Sequence, residues 1–116
     1  MSAETDFRAA LVEHAPLFAL VGDRIAANAV PEGTPLPYIA FSSTHEPVYG
    51  LDGSKHAGRV TFEAQCWAES QAQADAVADA VEQAMALAAG TVRTRATGYS
   101  GELDLDAVVL TVEWWA

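Results

Sequence analysis

Arg59-Val60-Thr61-Phe62-Glu63-Ala64-Gln65-Cys66-Trp67-Ala68, followed at once by Ser70-Gln71-Ala72-Gln73, decides the fold class of this chain. In the first stretch Val60, Phe62, Ala64 and Cys66 alternate with Arg59, Thr61, Glu63 and Gln65. That is the period-two pattern of a strand with one buried face. The second stretch is a capping box, with Ser70 at the N-cap and Gln73 three residues on. It predicts a helix running to about Ala89 and stopping at Gly90, roughly 28 Å long at about 1.5 Å per residue. Ala74, Val77, Val81, Ala84, Met85 and Ala88 form its inner stripe, and Asp75, Asp79 and Glu82 mark its outer face.

Upstream, Phe7, Ala10, Leu11, His14 and Phe18 follow three-and-four spacing and predict a helix from about Thr5 to Ala15. Thr5 and Asp6 suit its N-cap, and Glu4 and Asp6 suit the positive end of its dipole. Pro16 breaks that helix and opens a short turn through Leu17, Phe18, Leu20 and Val21, which Gly22 ends. Arg24 to Ala29 predicts a short strand. Val30 to Pro37 holds three prolines and reads as a loop, because proline cannot take part in regular pairing. Tyr38 to Thr44 reads as a strand, and His45 to Gly58 as a long polar connection carrying Pro47, Gly50, Gly53 and Gly58. Two further strands are predicted over Thr91 to Tyr99 and Asp106 to Trp115, joined by a turn at Ser100-Gly101-Glu102. Ala107-Val108-Val109-Leu110-Thr111-Val112 is almost wholly apolar, which places it inside a sheet or under cover on both faces. The expected fold is α+β: a mainly antiparallel β-sheet packed against an N-terminal helix and one long alanine-rich helix.

With 116 residues the chain is expected to form one domain, 1–116. Hydrophobic residues make up 51% and charged residues 19%, a globular profile. No apolar run reaches the roughly 20 residues that span a bilayer, so no membrane partner is expected. Met1-Ser2-Ala3-Glu4-Thr5-Asp6 lacks the basic-then-apolar layout of a secretory signal, and the chain is expected to stay in the cytoplasm where it is made. Six basic residues face sixteen acidic ones, a formal charge of −10. A phosphate-binding surface needs clustered Lys and Arg. Only Arg93 and Arg95 sit close together, on one face if their strand is regular.

Cys66 is the only cysteine. A disulfide within the chain is therefore excluded, and the strand pattern turns its thiol into the core, away from nucleophilic chemistry. His14, His45 and His56 show no helical metal-pair spacing. His45, Asp52 and His56 could meet only if the long loop folded back, and polar loop residues are ordinarily solvated. Asp75, Asp79 and Glu82 share a helix face but lack the glycine-bearing loop of a calcium cage, and read as a solvated or lumen-facing surface. Glu102, Asp104 and Asp106 read as a solubilising edge. No catalytic residue, metal ligand or cofactor is expected. Trp114 and Trp115, adjacent on a strand, must point to opposite faces, so one ring serves the core and the other a second surface.

Leu20-Val21-Gly22-Asp23-Arg24-Ile25, Pro37-Tyr38-Ile39-Ala40-Phe41 and Cys66-Trp67-Ala68 before an alanine-rich helix occur in an order that resembles the tail-completion (tail-terminator) proteins of long-tailed phages, prophages and gene transfer agents. The likeness is firm from Leu20 to Ala89 and extends to the closing Leu110-Thr111-Val112-Glu113-Trp114, whereas Thr91 to Asp106 carries no distinctive match. It implies a non-enzymatic virion protein at the head-proximal end of the tail, assembled in the bacterial cytoplasm. As a homo-oligomer, in the family commonly a hexameric ring, it would cap the major tail tube protein and meet the head–tail connector protein, while DNA passes through the lumen. A head-to-tail connector (head-closure) protein is the neighbouring alternative, and a small dimeric binding module a more distant one. The assembly contacts are expected in the long connection, at His45, Val48, Tyr49, Leu51, Asp52, Lys55 and His56, and at Trp115. A connection that long exceeds what joining two strands requires.

Overall fold

The computed structural model describes residues 3–46, 59–88 and 90–115. In chain order these form α1 (Ala3–Val12), α2 (Ala15–Val21), β1 (Ile25–Ala27), β2 (Tyr38–Glu46), β3 (Arg59–Ala68), α3 (Gln71–Ala86), β4 (Gly90–Ser100) and β5 (Leu105–Trp115). The strands make one sheet in the order β1-β2-β3-β5-β4. Only β1 and β2 run parallel, and every other pair is antiparallel. The expected α+β architecture is what forms.

β3 spans the predicted residues and occupies the middle of the sheet. Its alternation is complete: Val60, Phe62, Ala64, Cys66 and Ala68 are buried, and their partners on β5 are Trp114, Val112, Leu110, Val108 and Asp106. The helices cover this face. Phe7 of α1 lies flat on Phe62, with ring centroids 4.0 Å apart and planes 8° from parallel. Phe41 and Trp114 meet Phe7 edge-on at 5.2 and 5.8 Å. Such offset and edge contacts add to the area buried by each ring. The apolar run of β5 is explained by its interior place between β3 and β4.

α3 begins where the capping signal places it. The Ser70 hydroxyl accepts from the Gln73 backbone N–H at 3.2 Å. The Gln73 side chain returns to the Glu69 N–H instead of that of Ser70, one residue off the reciprocal box. The helix ends at Ala86, not Ala89, and Ala88 of the expected stripe is exposed. Gly90 already belongs to β4 opposite Trp114. A Cβ there would stand 2.5 Å from Met85 Sδ and 3.1 Å from Val112 Cγ1. This glycine permits close approach of strand to helix; it is not a helix stop.

The N-terminal helix is also shorter than its apolar spacing suggested. It ends at Val12, and His14 is extended, so the helical count restarts at Ala15 with Pro16 in the first turn. Leu17 and Val21 of α2 then face the core, while Phe18, expected on the same stripe as Phe7, is 49% exposed. Gly22 adopts φ 59° and its N–H caps the Phe18 carbonyl. That left-handed backbone is cheap only for glycine.

Emptying the centre of the aromatic cluster should be costly: Phe62→Ala is expected to lower stability by about 3–5 kcal/mol. Urea denaturation followed by circular dichroism checks this, and an unchanged midpoint would contradict the packing.

Candidate assembly interface

Six of the eight expected contact residues, Val48, Tyr49, Leu51, Asp52, Lys55 and His56, lie outside the described residues. The possible meeting of His45, Asp52 and His56 therefore lies there too. His45 is a correction. It belongs to β2, paired with Val60, and not to the connection. Its register turns it to the helix side, where its Nε2 lies 2.6 Å from Glu4 Oε1. Ser43 donates to the same carboxylate oxygen at 3.0 Å. Glu4 thereby fastens the start of α1 to the end of β2. The bond from His45, then the helix N–H of Glu4 itself, holds the Glu4 carboxyl below the usual range. Trp114 is buried on the helix side opposite Val60. Trp115 takes the next register position, paired with Arg59.

Among the described residues no helix covers the other face of the sheet. Its rows run Tyr38–Trp67–Ala107–Gly98, Ala40–Gln65–Val109–Ala96 and Ser42–Glu63–Thr111–Thr94. Next come Thr44, Thr61 and Glu113, and at the far end an ion-pair ladder: Arg59 bonds Glu46 and Glu113, and Arg93 bonds Glu113. Glu113 is drawn below the usual carboxylate range, first by Arg93 and then by Arg59. Among the described residues the open face carries Glu46, Glu63 and Glu113 against Arg59 and Arg93, a formal −1 (three minus two). The chain's excess acid therefore sits mainly on the helical side and in the turns.

Arg93 and Arg95 do not share a face. The register slips between Val92 and Thr94, leaving Arg93 as a bulge residue, and a bulge re-aims the side chains beyond it. Arg95 crosses to α3. Its guanidinium lies 2.7 Å from Asp79 Oδ1, 2.7 Å from Glu82 Oε2 and 3.3 Å from Asp75 Oδ1. The three acids read as a bare solvated face thus surround one cation, with two negative charges in surplus. Arg8 bonds the carbonyls of Ile25 and Asp23, and Arg24 those of Pro37 and Leu20. Every described arginine is engaged within the chain.

Cys66 is fully buried, and burial pushes its thiol up to about 12. Among the described residues no three of His, Cys, Asp and Glu are placed to hold a metal ion. Asp104 accepts from the Tyr99 hydroxyl at 2.7 Å, so it stitches the β4–β5 turn.

Two apolar features escaped the sequence reading. One is the outer face of α2, where Ala15, Pro16, Phe18 and Ala19 are all exposed. The other is a cavity of about 250 Å³ under the 30–36 loop, walled by Val30, Pro31, Leu36, Tyr38, Leu103 and Leu105. Leu103 at its rim is 60% exposed. The signal for the first was available, since α2 (APLFALV) has no polar residue at all and a surface helix normally has a polar side. The cavity had no local signal, because its walls are some seventy residues apart in the chain.

The described residues thus form a one-sided sheet with internally paired charges and exposed apolar groups on α2 and at Leu103. The family described as "Tail completion protein gp17" matches residues 5–116, and the chain belongs to this family of phage tail structural proteins. A chain from the virion of a native gene transfer agent particle shares the fold, with a TM-score of 0.77 at 21% identity over 94% of this chain and 90% of that one. No curated protein sequence matches significantly.

Two outcomes are expected from the electrostatics. Cys66 should react with iodoacetamide only as fast as the protein unfolds, because at neutral pH its buried thiol holds almost no thiolate. Mass spectrometry of the folded protein reads this, and rapid labelling would contradict it. The lowered pKa of Glu113 means its stabilising contribution is present above the ordinary glutamate value of about 4.3 and lost as pH falls through the lower folded value. Glu113→Gln should therefore melt below wild type at pH 7, with the difference closing as pH drops below about 4. A gap that persists in acid would point to packing instead of charge.

Proposed function

We propose that this chain forms the ring that completes the tail: copies close on the end of the finished tail tube and offer the joined surface to the head connector. The family match over residues 5–116 carries the reading. A closed ring of identical copies repeats one heterologous contact, so each copy needs two different adhesive surfaces. The exposed α2 face and the cavity beside Leu103 are two such surfaces. DNA would cross the lumen without being held. Arginines committed to internal partners and a charge of −10 favour passage over binding, since acidic walls repel phosphate. The partners are then other copies, the tail tube protein and the connector, at the head-proximal end of the tail, with assembly in the bacterial cytoplasm. His45, Val48, Tyr49, Leu51, Asp52, Lys55, His56 and Trp115 remain the proposed contacts to tube or neighbour. His45 would act indirectly, by setting the end of β2 from which the connection departs.

Deleting Val48 to Lys55 and bridging the gap with a short glycine linker should leave the fold near intact, because closure entropy changes slowly with loop length. The same deletion should block tail completion, seen by electron microscopy as tubes of uncontrolled length together with unjoined heads. Tubes of normal length that fail only to join heads would favour the connector role. Normal transducing or infectious particles would make the connection passive and overturn its assignment.

A further inference from the structure

The outer face of α2 has the character of a buried surface. Ala15, Pro16, Phe18 and Ala19 are exposed, Phe18 by 49%, and no charged residue interrupts them. Beside the head of this helix, Ala86, Leu87 and Ala88 are exposed at the end of α3, Leu87 by 81%. Leu87 lines the same groove as Glu13 and His14, immediately before α2. Single exposed apolar residues are ordinary, whereas a contiguous group of this kind marks an interaction site.

The cavity lies on the other layer of the molecule. Tyr38 pairs with Trp67 on the open side of the sheet, and Leu105 shares the strand parity of Ala107 and Val109 on that side. Leu17 and Val21, by contrast, place α2 on the helix side. The exposed helix and the apolar cavity thus sit on opposite layers of one subunit. That is the arrangement a repeated head-to-tail contact needs, and a two-fold dimer would not use both at once.

Size favours the same pairing. A cavity of about 150 Å³ is enough to hold benzene, and this one measures about 250 Å³. α2 has no charge, whereas the cavity wall holds Glu32 and its Leu103–Leu105 side belongs to the acidic stretch Glu102 to Asp106, so apolar fit and not charge recommends the contact.

We propose that Phe18, with the apolar outer face of α2, seats in the Tyr38–Leu103 cavity of a second copy of this chain, and that this contact closes the ring. The assignment rests on the ring reading above and names its interface. Aromatic anchors in desolvated pockets commonly dominate such contacts.

The test uses two variants, Phe18→Asp, which spoils the helix face, and Leu103→Asp, which spoils the cavity. Both side chains are largely exposed in the single subunit, so melting by circular dichroism should stay near wild type. Native mass spectrometry of the wild type should show closed rings, and each variant alone should be monomeric. Phe18→Leu, which keeps an apolar anchor, should retain rings. An equimolar mixture of the two Asp variants should give a discrete dimer and nothing larger, because it contains one intact face and one intact cavity. Wild-type rings unaffected by either Asp substitution would overturn this contact and leave the ring reading standing. A mixture that stays wholly monomeric would overturn the contact in the same way. A wild type that is monomeric both in isolation and within the particle would overturn both.

Discussion

The stack of Phe7 on Phe62, 4.0 Å between centroids, is the contact on which the arrangement of layers depends. It joins the first helix to the middle strand, the two parts of the chain that are furthest apart in role and fifty-five residues apart in sequence. Phe41 and Trp114 close around the pair from β2 and β5. With α1 held there, α2 and α3 complete one apolar layer, and all three described helices lie on a single face of the sheet. The opposite face is left to do something else. A sheet open on one side is ordinary for antiparallel pairing, and here it carries threonines, small residues and a paired charge ladder.

Charge follows the same division of the molecule. Glu46, Arg59, Glu113 and Arg93 neutralise one another at one end of the open face, while Asp75, Asp79 and Glu82 gather on α3 around Arg95. Exposed ion pairs contribute little stability one by one. Under the proposed ring reading, copies would have to meet through apolar surface, which the exposed face of α2 and the cavity under the 30–36 loop supply.

The elements with strong local rules were legible from sequence. β3 was read to the residue because strict alternation has one consistent register, and the start of α3 because a Ser70 hydroxyl can cap only a helix on its C-terminal side. Cys66 in the core came from the same alternation. Reading failed where one residue changed the phase of a pattern. Phe18 kept helical spacing with Phe7, but the extended backbone at His14 reset the count and turned it outward. Arg93 and Arg95 were two apart on a strand, but the bulge at Arg93 sent them to opposite faces. Asp75, Asp79 and Glu82 looked unpartnered because their counter-ion stands thirteen or more residues away, on another element.

By itself the sequence determined the class of the fold, the identity of most core positions and the family resemblance, because each rests on periodicities or motifs within about ten residues of chain. It also determined that the molecule would be acidic and hold a single thiol. Only the tertiary structure decided which apolar residues the core would take and which it would leave outside. A core has a limited volume, and α1, α3 and the sheet fill it with Phe7, Phe62, Met85 and Leu110. Phe18, as apolar as those, remains at the surface because the extended backbone at His14 turns it outward, and Leu103 stands at the rim of a cavity that it does not fill. That choice depends on packing between distant segments, and it is what turned two ordinary hydrophobic residues into the candidate contact between subunits.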